Sequence, residues 1–268
     1  MRSEHAGDIF VLAKELQKVA LTIIGEKQFL KEDDHFGLMI LAYAIKQFQH
    51  LESILALIET RNYRDTGLIA RTMIEGTAQL RWAIEKPEVR AYRWRAFAYL
   101  VSLRGMHKQE HLGQKVDLEN KRQVEEGVSK HERILLKPRY LKVRESDIPA
   151  DPEKRYIKKW FIDEQGKEVK LKNIVEPILA DGILRNMYEK TSKRAHWQLE
   201  DIKIERGQEE DTFIEQSSSE AWDPCAAAIF AMRDSLELFV AEFNLNYAVE
   251  LEQFEAKVKK LGDSVNPN

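Results

Sequence analysis

The stretch YRDTGLIARTMIEGTAQLRW, residues 63–82, decides the fold class that we predict for this chain. At 100° per residue, Ile69 and Met73 lie on one face of a helix, and Ile74 and Trp82 lie on the opposite side. A helix that is apolar on nearly all sides is expected to be buried among other helices. The segment therefore predicts an interior helix of an all-α protein.

Long helices are predicted on both sides of this segment. The chain has only 12 Gly and 7 Pro, too few turn residues for a fold of many strands. Apolar periodicity predicts helices after Asp8 and from near Asp34, and Pro87 suits the first position of a fourth helix. A last long helix is predicted from near Asp223 to about Leu261. We therefore predict an all-α fold, an antiparallel helical bundle with long helices.

Three segments depart from this bundle pattern. The polar stretch near residues 104–136 predicts a projecting helical hairpin. Residues 137–170 include most of the run WFIDEQGKEVKL and predict a short irregular or hairpin insertion. The tail 262–268, GDSVNPN, is predicted to be disordered. At 268 residues, the chain is predicted to be a single helical domain, 1–268, that contains this insertion.

Composition excludes several classes of function. The net charge of −3 gives no overall field for nucleic acid or an anionic membrane, so such a partner needs a local patch. A single cysteine, Cys225, cannot form an internal disulfide, which favours a reducing cytoplasm. No apolar run is long enough for a signal peptide or a membrane span. No P-loop, dinucleotide fingerprint or serine-hydrolase elbow occurs, and we expect no cofactor.

Two polar groups stand out within the apolar helices. Arg71 and Glu75 form an i,i+4 pair, and buried charges persist only when they are paired. In a later helix, Tyr188, Ser192 and His196 step by four residues, and Arg185 falls on the same side.

We expect the two groups to converge, with His196 as an acid–base group beside the charged pair. The alternative is that both groups only stabilise the fold through a buried polar network.

These residues carry a resemblance to known families. The segment 63–82, a loop that contains Trp160 and the Tyr188 series resemble a bacterial helical family of unknown function. Members of that family carry an Arg and a Glu in an early helix and a Y-x3-S-x3-H series in a late one. More remotely, the chain is similar to HEPN-like ribonucleases of toxin and defence systems, which place Arg a few residues before His on one helix. Here Arg194 precedes His196 by two residues and Arg185 precedes it by eleven, a departure from that motif.

The HEPN resemblance implies RNA as a partner and metal-independent cleavage of RNA. In that interpretation His196, Arg71 and Glu75 are the catalytic residues, and Ser192, Tyr188 and Arg185 bind the substrate. A homodimer is also implied, and the many apolar residues predicted for the last helix agree with association. The competing interpretation is a non-catalytic helical interaction module.

Two further motifs have the composition of a functional site, one for metal and one for nucleic acid. His107, Glu110 and His111 match the H-x-x-E-H string of zinc peptidases, which makes a zinc hydrolase the third candidate. Because the segment is polar and no third ligand is evident, we predict that the protein holds no metal. The basic–aromatic run at residues 90–97 has the composition of a nucleic-acid-binding face, although a helix that buries Trp94 and Phe97 explains it equally well.

Overall fold

The computed structural model describes residues 6–26, 30–31, 33–163, 165–180, 185, 188–189, 205–206, 212–213 and 219–265. Most of these residues are helical, which confirms the all-α fold class. A pair of two-residue antiparallel strands, β1 (Glu205–Arg206) and β2 (Thr212–Phe213), places Glu205 opposite Phe213. The α-helices are α1 (Ala6–Gly25), α2 (His35–Glu59), α3 (Tyr63–Ile84), α4 (Pro87–His111), α5 (Leu118–Lys130), α6 (Glu132–Leu135), α7 (Pro152–Arg155), α8 (Leu171–Val175), α9 (Ser219–Glu242) and α10 (Ala248–Val265).

Local side-chain chemistry fixes where several helices begin. The Asp34 carboxylate accepts a hydrogen bond of 2.7 Å from the amide of Gly37 and caps α2, the helix predicted to begin near Asp34. Pro87 occupies the start of α4, where its missing amide costs nothing. Asp117 caps α5 by accepting from the amide of Asn120 at 3.0 Å. These helices begin where a carboxylate accepts a hydrogen bond from an amide of the first turn, or where proline has no amide hydrogen that needs a partner.

The chain divides into two compact units, and their boundaries fall within α2 and α3. The first unit comprises residues 1–31, 40–81 and 171–268. In it, α1 packs against α9 and α10, and the core includes fully buried Leu16, Met73 and Phe239. Buried Gln47 donates to the Met73 carbonyl at 2.8 Å and to the Thr77 hydroxyl at 3.1 Å. The helix predicted to be interior thus supplies both apolar and polar contacts to this core.

The second unit comprises residues 32–39 and 82–170. Its core joins α4 to α5, because Leu100 and Leu103 cluster with Val124, Val128 and the 156–162 segment. The predicted helical hairpin is therefore present, with its turn at residues 112–117. Its polar sequence carries a narrow apolar stripe that is buried rather than solvated.

The insertion at 137–170 is irregular, as predicted. It contains short 3₁₀ turns at Pro138–Tyr140 and Glu145–Asp147, and one antiparallel bridge between Ile162 and Glu168. Gly166 forms the turn of that small hairpin with a φ of 79°. That residues 1–268 form a single domain stays a prediction.

The last helix is not continuous, which corrects the prediction of one helix to about Leu261. Asn244 adopts a left-handed φ of 50°, and the amide of Leu245 donates to the Val240 carbonyl at 3.0 Å. Asparagine tolerates this conformation and ends α9 in the manner of a helix C-cap. The helix α10 then runs to Val265, into the tail predicted to be disordered.

The burial of α9 bears on the prediction that two copies of the chain associate. Met232, Leu236 and Phe239 of α9 are fully buried within the chain itself, so these residues offer no apolar surface to a second copy. The homodimer stays a prediction that rests on the HEPN resemblance alone.

Candidate functional site

The predicted convergence of two polar groups is present for three residues of the first unit. The Nε of Arg71 donates to Glu75 Oε1 at 2.9 Å, and the hydroxyl of Tyr188 donates to the same oxygen at 3.0 Å. The Arg71 guanidinium also lies 5.2 Å from the centre of the Tyr188 ring. Residues on α3 and at position 188 are thereby joined around one carboxylate oxygen. The cluster is partly open, because the Arg71 and Glu75 side chains are 25% and 20% exposed.

The electrostatics of the cluster keep Arg71 and Tyr188 protonated at neutral pH. Burial lowers the pKa of Arg71, but the hydrogen bond and charge of Glu75 outweigh it, so that this pKa is raised. Burial and the neighbouring Glu75 charge both raise the pKa of the Tyr188 phenol. The result is a permanent cation and a protonated phenol that share one carboxylate.

The other predicted site residues have different outcomes. Arg185 donates from Nε to the Leu179 carbonyl at 3.2 Å and pairs with Glu176 at 3.4 Å, so its contacts do not join the cluster. Ser192 and His196 lie outside the described residues. Of the predicted site residues, the structure therefore brings together Arg71, Glu75 and Tyr188.

We expect Tyr188→Phe to destabilise the protein in a pH-dependent way. The hydrogen bond to a carboxylate contributes about 1 kcal/mol after allowance for partial exposure. The pKa of Tyr188 in the folded protein is raised above the ordinary tyrosine value of about 10. The contribution is therefore fully present below about pH 10 and is lost as the pH rises through the folded pKa.

Urea unfolding of wild type and variant at about pH 7 and pH 11 measures this difference. Tyr63→Phe in α3 is the control, because the Tyr63 hydroxyl has no hydrogen bond with any described residue. An equal loss of stability at both pH values would contradict the expectation.

The H-x-x-E-H string does not assemble a metal site in the described part of the chain. Glu110 pairs with Lys121 at 2.6 Å, and His111 is exposed in the last turn of α4. Among the described residues, no group of three or more His, Cys, Asp or Glu side chains is placed to hold a metal ion. The prediction that the protein holds no zinc stays a prediction.

The basic–aromatic run is largely engaged within the second unit. Arg90 is 8% exposed, donates to the carbonyl of Trp82 and to Glu85, and stacks 4.0 Å from the centre of the Trp82 ring. Arg93 donates to the Ile162 carbonyl at 2.9 Å. Two of the three arginines of the run thus stabilise the second unit.

A second polar cluster was not predicted from the sequence. The ring of Tyr92 stacks on His35 at 4.8 Å, and its hydroxyl lies 2.7 Å from His131 Nδ1 in a hydrogen bond. His131 in turn stacks on Tyr99 at 5.7 Å, and Arg95 donates to His35 at 3.2 Å. Burial, with nearby cations, lowers the pKa of both histidines, so the imidazoles are neutral at pH 7. No local motif marks these residues, because their contacts join distant segments.

Comparisons with known proteins identify one family. No curated protein and no solved structure matches the chain. Within the part of the chain that the structure describes, no helix has the length and apolar character needed to cross a membrane. The model of the family of unknown function DUF5677 matches residues 38–213, a segment that contains the Arg71–Glu75–Tyr188 cluster. Because this segment is more than half of the chain, the protein belongs to the family of unknown function DUF5677.

Proposed function

We propose that this protein is a HEPN-like RNA-cleaving or RNA-processing protein of a bacterial defence or toxin system. The observation that supports the proposal is the joining of Arg71, Glu75 and Tyr188 around one carboxylate oxygen. A partly exposed cation that is fixed by a carboxylate and a phenol is suited to hold a phosphodiester. In this proposal Glu75 orients Arg71, and Arg71 neutralises the phosphate.

The proposed chemistry needs a proton acceptor but no metal. The 2′-oxygen of the ribose attacks phosphorus and gives its proton to the imidazole of His196. The bond from phosphorus to the 5′-oxygen breaks, and that oxygen takes up a proton. The products are a 2′,3′-cyclic phosphate and a 5′-hydroxyl, and Arg71 stabilises the charge that develops on the phosphate oxygens. Tyr188 and Ser192 hydrogen-bond the substrate in this scheme.

A second candidate is a non-catalytic interaction module. The observation that favours it is that the polar groups of the cluster satisfy one another: Tyr188 and Arg71 both donate to Glu75. In this case the cluster stabilises the first unit, and the loss of Glu75 changes stability without changing any reaction.

The test is cleavage of single-stranded RNA in the presence of a metal chelator by wild type, His196→Ala and Glu75→Gln. We expect both variants to lose about 100-fold or more in rate, with cyclic-phosphate ends made only by the wild type. His111→Ala is the matched control, because His111 is an exposed histidine outside the cluster. Its activity is expected to be unchanged.

Melting temperatures separate the two candidates. Loss of cleavage at an unchanged melting temperature supports the nuclease. Variants that melt earlier but cleave at the wild-type rate, or a wild type that does not cleave RNA, would refute the catalytic proposal. Activity that is absent with the chelator, appears when zinc is added and requires His111 would instead identify the zinc hydrolase.

A further inference from the structure

A cavity of about 880 Å³ in the second unit is lined mainly by α4, the α5–α6 junction and the insertion. Its lining includes five cations and one carboxylate, which are Arg93, Lys130, Arg133, Arg139, Lys142 and Asp163. The carboxylate is already engaged, because Asp163 Oδ1 accepts from the amide of Lys167 at 2.7 Å. The cavity is therefore strongly positive in a chain whose net charge is −3.

The cations at this cavity lack acidic partners in the described structure. Arg93 is half-buried, and its guanidinium bonds only a carbonyl, that of Ile162. Burial and the charge of Arg90 lower the pKa of Arg93, so the environment opposes its charge. Lys130, Arg133 and Lys142 likewise form no ion pair with any described carboxylate. An anionic ligand would supply the negatively charged partner that these cations lack.

The same cavity also presents apolar surface. Val89 and Leu141 are 49% and 50% exposed although both line it, and Ile162 and Pro138 complete an apolar wall. Its volume is in the range of sites for single small molecules. A ligand that fits both surfaces carries a ring system at one end and a phosphate at the other.

The wall is held in place by close packing of the Pro138 ring on Gly166. A Cβ added at Gly166 would lie 2.6 Å from Cβ of Pro138, so the hairpin turn and the 3₁₀ turn are in direct contact. Arg139 lies in that 3₁₀ turn, and Arg133 lies in α6, which the antiparallel bridge from Leu136 to Tyr156 joins to the insertion. Arg133 and Arg139 thus lie in segments that these contacts hold together.

We propose that this cavity binds a nucleoside phosphate. Arg133 and Arg139 hold the phosphate, and the nucleoside contacts the apolar wall that Val89 and Leu141 form. The proposal goes beyond the function proposed above, because it uses residues of the second unit and none of the Arg71–Glu75–Tyr188 cluster.

The test is calorimetric titration of the full chain with each of the four nucleoside monophosphates, with adenosine and inorganic phosphate as partial ligands. The double variant Arg133→Gln/Arg139→Gln is expected to bind the preferred nucleotide about tenfold more weakly or worse. The control is Lys108→Gln/Lys115→Gln, which removes two cations from the same hairpin outside the cavity. Its affinity is expected to match that of wild type.

Wild type that binds none of the four nucleotides at millimolar concentration would overturn the proposal. It would also be overturned if Arg133→Gln/Arg139→Gln bound like wild type, or if inorganic phosphate bound as tightly as the preferred nucleotide. Because no cleavage is measured, these outcomes are independent of whether the first unit cleaves RNA.

Discussion

Gly127→Ala is expected to lower the melting temperature, although alanine is the better helix former. A Cβ at position 127 of α5 would lie 2.7 Å from Cε1 and 2.8 Å from Cγ of the Tyr99 ring. The ring cannot simply turn aside, because it stacks on His131. The two helices of the hairpin must therefore separate, at a cost of about 1–3 kcal/mol for overpacking.

The matched control is Gly105→Ala in α4, where an added Cβ meets nothing within 4 Å. There only helix propensity changes, and the substitution is expected to stabilise the protein by about 0.5–1 kcal/mol. Circular dichroism melting curves should show shifts of opposite sign, each a few degrees or less. A rise for both variants would mean that the contact between Gly127 and Tyr99 is not close in solution.

Gly166→Ala is expected to have the other large effect, because two costs coincide at one residue. The φ of 79° at Gly166 is strained for alanine by about 1–2 kcal/mol. In addition, the new methyl group would overlap Pro138. The turn must move, and the cavity wall that contains Arg139 should move with it.

Gly113→Ala separates the two costs. Gly113 has a similar φ of 72°, but an added Cβ meets nothing within 4 Å. Urea unfolding should therefore show about 1–2 kcal/mol lost for Gly113→Ala and clearly more for Gly166→Ala. Equal losses would show that the Pro138 contact is easily relieved.

The parts of the fold that could be predicted were those set by local chemistry. Asp34 and Pro87 marked helix starts, because a cap or a missing amide acts within one turn. The break at Asn244 was missed since no Gly or Pro marks it and apolar residues continue on both sides. The burial of Val124 and Val128 was missed because their partners on α4 lie on the other helix of the hairpin, well outside one helical segment of sequence.

The candidate site shows the same limit. Arg71 and Glu75 were found by their spacing on one helix, and the need of buried charges for partners pointed to Tyr188. Arg185 was grouped with them by helical spacing alone, whereas its contacts in the structure are to Glu176 and Leu179. His35, Tyr92 and His131 could not be found in this way, because tertiary packing alone brings them together.

The packing of α1 against α9 and α10 has a consequence for synthesis on the ribosome. The apolar face of α1, which includes Leu16 and Ile23, is synthesised long before its partners, which begin only at residue 219. The second unit, which ends at residue 170, can therefore become compact while the first unit still waits for its last helices. During that interval we expect chaperones to bind the exposed face of the nascent α1, and slow translation between residues 170 and 219 would prolong the interval.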